Sequence, residues 1–182
     1  MEKLALKNDS KVEWFVFLAL VALVVVSRLT SHIWNFTAVG GVALFSGAYF
    51  SKKYFAVLVP LMGLFISDLM IGLHNQMLPV YFSYALIVAL GCTLQVNSPR
   101  VRTAMTSIAG ACLFFLITNF TSWMGNAFYA QNFEGLMNSY LLGVPFFRAQ
   151  FASDVVFSLV IFEAARQCMK AKSASPAAIE IK

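Results

Sequence analysis

The chain has 182 residues, of which 60% are hydrophobic and 12% are charged, and its formal net charge is +5 at pH 7. A typical soluble domain has about 25% charged residues, and 18 phenylalanines exceed what one soluble core of this size could bury. This composition excludes an ordinary soluble protein and predicts a single-domain, all-α polytopic membrane protein. The positive charge does not require a nucleic acid partner, because basic residues commonly mark the cytoplasmic ends of membrane helices.

Six apolar runs follow one another along the chain, at residues 13–29, 37–50, 54–72, 79–96, 103–121 and 150–168. Five of them are long enough, or nearly so, to cross a bilayer core of about 30 Å as a helix. The second run is shorter and contains Gly40, Gly41 and Gly47, which fits a tilted or closely packed helix. We therefore predict a transmembrane domain of six helices at 13–169, a cytoplasmic segment at 1–12 and a disordered cytoplasmic tail at 170–182.

Clusters of basic residues predict the orientation of these helices. If six helices alternate in direction, the basic groups of the initial segment, of the loops at 52–53 and 100–102, and of the end of the last run share one side. By the positive-inside rule that side is the cytoplasm, so we expect a multi-pass membrane protein with both termini inside. Arg28 and Arg148 are the exceptions, since both are predicted on the outer side.

The connection at 122–149 is predicted to lie outside the membrane. Its polar half, GNAFYAQNFEG, cannot be in contact with lipid, whereas its second half, GLMNSYLLGVPFF, is apolar but too short to span. This pattern predicts an additional short interfacial or re-entrant helix before the last span.

Polar residues from every outer connection are predicted at one depth on the outer side. A carboxylate within a membrane helix costs roughly 2.5–3.5 kcal/mol near the centre, so such a residue usually faces the bundle interior and has a partner. The cytoplasmic loops, by contrast, are short and basic. We therefore predict an outward-facing ligand pocket formed by Arg28, His32, Asn35, Asp68, His74, Asn75, Asn119, Trp123, Asn126, Tyr129, Arg148 and Asp154.

Two roles remain open for the carboxylates of this cluster. In the functional interpretation, Asp68 faces a partly hydrated pocket and binds positive or hydrogen-bond-donating groups of a ligand. In the structural interpretation, Asp68 and Asp154 pair with Arg28 and Arg148 and hold the helices together, or Asp154 caps the start of the last helix together with Ser153.

Neither catalysis nor a resident cofactor is predicted. Cys92, Cys112 and Cys168 fall within or at the ends of apolar runs, in a spacing that fits neither a disulfide framework nor a metal site. The chain has no nucleophile elbow, phosphate loop, paired-carboxylate motif or redox motif. Whether the two histidines bind a metal together with Asp68 stays open at this point.

Several strings resemble a widespread family of uncharacterised bacterial integral membrane proteins: RLTSHIWNFTAVGGVALFSGAYF, VPLMGLFISDLMIGLH, FFLITNFTSWM and GLMNSYLLGVPFFRAQFASDVVFS. That family is similar to the S components of energy-coupling factor (ECF) transporters, which are six-helix proteins that bind vitamins or metal ions from outside. The resemblance runs from about residue 28 to 162 and implies a pocket built by residues 28–35, 73–78 and 119–148. It implies capture and uptake of a micronutrient such as a vitamin, a cofactor precursor or a metal complex.

One departure from the S components concerns the partner protein. S components commonly carry an AxxxA stripe on the first helix that docks the coupling subunit, whereas this chain has Ala19 and Ala22 there. Partnership with an ECF coupling module is therefore left open beside two alternatives, a solitary transporter and a structural or assembly protein without a ligand. Solitary cobalamin transporters of this type use a third-loop cysteine as a cobalt ligand, and this chain has His74 in that loop.

Overall fold

The computed structural model describes residues 10–33 and 35–174, with side chains up to residue 171. The predicted cytoplasmic segment before residue 10 and the predicted disordered tail beyond residue 174 lie outside the described residues. The first helix already begins at Ser10 and the last one continues to Ala174, so each extends a few residues beyond the predicted transmembrane domain.

The described part of the chain forms six α-helices and no strand. They are α1 (Ser10–Thr30), α2 (Val39–Tyr49), α3 (Lys53–Ile71), α4 (Met77–Gly91), α5 (Arg100–Gly125) and α6 (Phe133–Ala174). Helices α1, α3, α5 and α6 are long and apolar enough to cross a membrane, whereas α2 and α4 are shorter apolar helices. The all-α prediction is confirmed, and the long apolar helices are those of a multi-pass membrane protein.

The predicted separate helix before the last span is wrong, because residues 133–149 form the first part of α6. This helix has 42 residues, which at about 1.5 Å per residue is roughly twice the thickness of a bilayer core. Pro145 lies inside it without ending it. Contacts with α5 stabilise the segment, since the Tyr140 hydroxyl donates to the Leu116 carbonyl at 3.0 Å and the Phe147 ring lies 4.6 Å from that of Phe115. Neighbouring helices commonly make proline tolerable in membrane helices in this way.

Helix α2 is the centre of the bundle. Nine of its 11 residues are buried, including the three glycines of the run, and it packs against α3, α4, α5 and α6. At Gly41 a Cβ atom would lie 2.7 Å from the backbone nitrogen of Ser158, so α6 can approach only because this residue has no side chain. The close packing predicted from the small residues is confirmed.

The long helices expose apolar side chains and turn polar ones inward. Phe15, Phe65 and Met70 are among the exposed large hydrophobic residues, whereas Ser67 and Ser107 are buried. Such an arrangement suits a lipid environment, in which polar groups avoid the outer surface of the bundle.

Two ends of the bundle differ in chemistry. We call "cavity end" the end at which α1 and α3 finish and α2 and α4 begin, and "basic end" the opposite one. At the basic end, Arg166 donates to the carbonyls of Val96 and Ser98 at 3.0 and 2.9 Å, and Arg100 pairs with Glu163 at 3.0 Å. These contacts join α6 to the connection between α4 and α5. The basic groups of residues 52–53 and 100–102 thus share one end, as the alternating topology requires.

Candidate functional site

A buried ion pair joins three helices at the cavity end. The side chain of Asp68, in the last turns of α3, is 1% exposed. Arg28 at the end of α1 donates from Nη2 to Oδ1 of Asp68 at 2.6 Å, and the Tyr81 hydroxyl of α4 donates to Oδ2 at 2.7 Å. Each carboxylate oxygen therefore has its own donor. The Arg28–Asp68 pairing of the structural interpretation is confirmed.

The expectation that Asp68 faces a hydrated pocket is wrong. Asp68 is fully buried, although Leu64, one turn earlier on the same face of α3, lines the cavity. Arg28 and Tyr81 bind the two carboxylate oxygens and cover them, so Asp68 does not reach the cavity itself. Asp68 can therefore influence a ligand only through neighbouring side chains, above all the arginine that it holds.

A cavity of about 410 Å³ lies beside this ion pair. Its wall is formed by the end of α1 and the following connection, by the second half of α3 with His74, by α4, and by one residue each from α2, α5 and α6. The volume falls within the range of small-molecule sites. The polar side chains of the lining are Arg28, Ser31, His32, Asn35, Thr37, His74, Tyr84 and Gln150.

The ionisable groups that face the cavity are basic or neutral. Arg28, His32 and His74 line it, whereas neither aspartate of the cluster does. The Arg28 side chain is 17% exposed against 1% for Asp68, so the guanidinium lies between the carboxylate and the cavity. His74 approaches the same carboxylate, with Nε2 at 3.9 Å from Oδ1 of Asp68.

Two buried polar side chains of α6 have unpartnered atoms. Gln150 is 5% exposed and lines the cavity, and its Nε2 makes no hydrogen bond of ordinary geometry within the described residues. Asp154 lies one turn further along, is 3% exposed, and accepts a hydrogen bond from the Gly40 amide in the first turn of α2. Its Oδ2 likewise makes no hydrogen bond of ordinary geometry in the described chain, although the Gln150 side chain interacts weakly with the same carboxylate. A side chain at Gly40 would collide with this carboxylate.

The alternatives proposed for Asp154 are wrong. No ion pair between Arg148 and Asp154 occurs among the described residues, and Arg148 is exposed and outside the cavity lining. Six residues along an α-helix correspond to about 600° of rotation, so the two side chains point to different faces. Asp154 does not cap its own helix either, because α6 begins at Phe133. It binds the start of α2 instead.

The predicted site residues at the end of α5 and in the α5–α6 connection bind groups of that region rather than line the cavity. Asn119 donates to the Phe115 carbonyl at 2.8 Å, and Trp123 donates from Nε1 to the Ala130 carbonyl at 2.9 Å. Asn126 accepts from the Phe128 amide at 3.0 Å, and the Tyr129 amide donates to the Asn126 carbonyl at 3.2 Å. Asn75 is exposed in the α3–α4 connection and is also outside the lining. Residues 28–35 and 73–78 contribute to the cavity as the resemblance implied, and residues 119–148 do not.

Comparison with known proteins assigns the chain to a family. The sequence profile of DUF6580, a family of unknown function, matches residues 8–177. The chain belongs to DUF6580. No curated protein and no solved structure matches it.

Several polar residues of this DUF6580 site are absent from the predicted set of site residues, among them Tyr81, Tyr84 and Gln150. Tyr81 completes the binding of Asp68, while Tyr84 and Gln150 line the cavity. A signal existed for Gln150, because it is an amide one turn before Asp154 on the same helical face. The tyrosines gave no such signal, since aromatic residues near a helix start are common at membrane interfaces.

The described residues hold no group of three or more His, Cys, Asp or Glu side chains that could bind a metal ion. His32 and His74 both line the cavity, but Asp68 is already bound by Arg28 and Tyr81. The geometry therefore gives no support to a site made of these three residues.

Proposed function

We propose that this DUF6580 protein is a membrane substrate-binding and uptake protein that captures a small micronutrient at the cavity end, in the manner of an ECF S component. The cavity end then faces outward and the basic end faces the cytoplasm, with both termini inside, as the positive-inside rule requires. The ligand class is a vitamin, a cofactor precursor or a metal complex.

The observation that carries this proposal is the cavity of about 410 Å³ with convergent polar groups. Concave sites of this size with a few fixed polar side chains are the usual form of small-molecule sites. Asp68 holds Arg28 in place, and the buried amide of Gln150 has two N–H groups, of which the neighbouring Asp154 carboxylate can accept only one. A buried donor without a partner is costly, so a bound ligand that accepts its hydrogen bond would stabilise the site.

A structural or assembly protein is the second candidate, and the ion pair favours it. Arg28, Asp68 and Tyr81 join α1, α3 and α4, while Asp154 joins α6 to α2. These contacts hold the bundle together whether or not a ligand binds. The structural candidate gives no role to the cavity or to the unpartnered amide.

Native mass spectrometry of the purified protein separates the two candidates. We expect a small molecule to be retained by the wild type and lost from a Val80→Trp variant, because Val80 lines the cavity and the larger side chain would fill it. The matched control is Leu78→Trp on the same helix, where the native side chain is 82% exposed. Retention by all three proteins would place the molecule outside the cavity, and retention by none would leave the structural candidate.

A further inference from the structure

The hydrogen-bonding groups that converge on the cavity are largely donors. A guanidinium has five N–H donors and no acceptor, and an imidazole donates from at least one nitrogen in either charge state. Arg28, His32 and His74 supply such groups from three segments of the chain. The Nε2 atom of Gln150 adds a fourth donor from α6, because the neighbouring Asp154 carboxylate can accept only one of its two N–H groups.

The carboxylates of this region accept hydrogen bonds from other protein groups and do not line the cavity. Asp68 accepts from Arg28 and Tyr81 and is 1% exposed. Asp154 accepts from the Gly40 amide at the start of α2, where the positive end of the helix dipole favours an acceptor. The lining itself therefore contains cationic and neutral side chains, and its one permanent charge is that of Arg28.

Asp68 also determines the orientation in which the Arg28 guanidinium would contact a ligand. The bond to Asp68 uses Nη2 of the guanidinium, and the exposed 17% of the side chain borders the cavity. An arginine held by a carboxylate behind it is fixed in orientation and has further N–H groups for an acceptor in front. Asp68 is in this sense a positioning residue, and Arg28 is the residue that would touch the ligand.

We infer that the cavity recognises a carboxylate or phosphate group on a small water-soluble ligand, with Arg28 as the principal contact and His32, His74 and Gln150 as further donors. This inference rests on the proposed function and specifies the chemical class of its substrate. Charge-assisted hydrogen bonds from a fixed arginine are among the stronger polar contacts in proteins, and the low dielectric of the bundle strengthens them.

The two histidines of the chain provide a direct assay, because both line the cavity and the sequence contains no others. Full-length protein with isotope-labelled histidine, free of any histidine tag, is titrated with inorganic phosphate and with acetate in neutral detergent. Chloride at matched ionic strength is the reference. We expect saturable shifts of both histidine side-chain signals with phosphate or acetate and none with chloride; shifts with phosphate alone or acetate alone identify which group is preferred.

Substitution of the donors tests their roles. We expect Gln150→Leu to weaken the binding of the effective anion about tenfold, the loss typical of one hydrogen bond to a charged group. Arg148→Gln is the matched control, because it removes a positive charge from an exposed residue of α6 that is outside the lining. Arg28 is left intact, since its removal would leave Asp68 buried without a charge partner.

Three results would overturn the inference. One is the absence of saturable histidine shifts with both anions, and another is an equal loss of affinity in Arg148→Gln and Gln150→Leu. The third comes from phosphatidylcholine nanodiscs with and without phosphatidylglycerol: histidine shifts that require the anionic lipid would assign the cavity to a lipid headgroup. Retention of a neutral molecule in native mass spectrometry, with no anion effect, would refute this inference and leave the uptake proposal standing.

Discussion

Replacement of Asp68 by asparagine removes one charge from the buried pair at the cavity end. The side chain keeps its size, but one of its two acceptor oxygens becomes a donor. Arg28 lies 2.6 Å from one oxygen and Tyr81 lies 2.7 Å from the other. The tyrosine hydroxyl can turn to accept a hydrogen bond, whereas a guanidinium cannot accept. Asp68→Asn therefore leaves Arg28 with a neutral partner in a largely buried position.

The expected cost follows from burial. Removing one partner of a buried ion pair typically costs about 3–5 kcal/mol. Arg28 is 17% exposed and borders the cavity, so water can partly solvate it and we expect the lower end of that range. In a protein of this size about 1 kcal/mol corresponds to about 2–4 °C in melting temperature, so a loss of about 3 kcal/mol lowers it by about 6–12 °C.

The assay is thermal unfolding of the ligand-free protein in detergent, for the wild type, Asp68→Asn, Arg28→Gln and the double variant. Removing both partners avoids an unpaired charge. The melting temperature of the double variant should therefore fall by less than the sum of the decreases in the two single variants. Arg100→Gln is the matched control, because Arg100 is 71% exposed and its partner Glu163 still pairs with Arg166, so this variant should melt close to the wild type. An Asp68→Asn protein that also melts close to the wild type, or strictly additive effects, would refute the buried-pair reasoning.

The remaining predictions concern orientation, partners and packing. In a background without native cysteines, Asn75→Cys should react with an impermeant thiol reagent in intact spheroplasts and Ser51→Cys should not; the reverse pattern would invert the proposed topology. A generic ECF coupling module should not co-purify, because the first helix lacks an AxxxA stripe, and stoichiometric recovery of such a module would contradict this. Gly41→Ala should destabilise the protein by about 1–3 kcal/mol in thermal unfolding, since its Cβ would lie 2.7 Å from the Ser158 nitrogen. An unchanged stability of Gly41→Ala would mean that α6 can shift away from α2 without cost.

Hydropathy and charge in the sequence were sufficient to predict where helices occur along the chain and that successive helices alternate in direction. Apolar runs predict helices because the backbone must satisfy its own hydrogen bonds in lipid, and this holds regardless of which helices are neighbours. Chain position also predicts depth, which is why Arg28, His32, Asn35 and His74 were correctly expected to lie close together.

Rotation about each helix axis was decided only by the tertiary structure. Depth alone could not show that Arg28 covers Asp68 and separates it from the cavity, or that Asp154 binds Gly40 rather than Arg148. The tertiary structure also decided the length of α6, because contacts with α5 stabilise residues 133–149 as helix despite Pro145. The sequence determined which groups reach the cavity end, since burial in lipid acts on each segment separately. Packing between helices determined which of these groups contact one another, because the partner of a side chain depends on residues that lie far away along the chain.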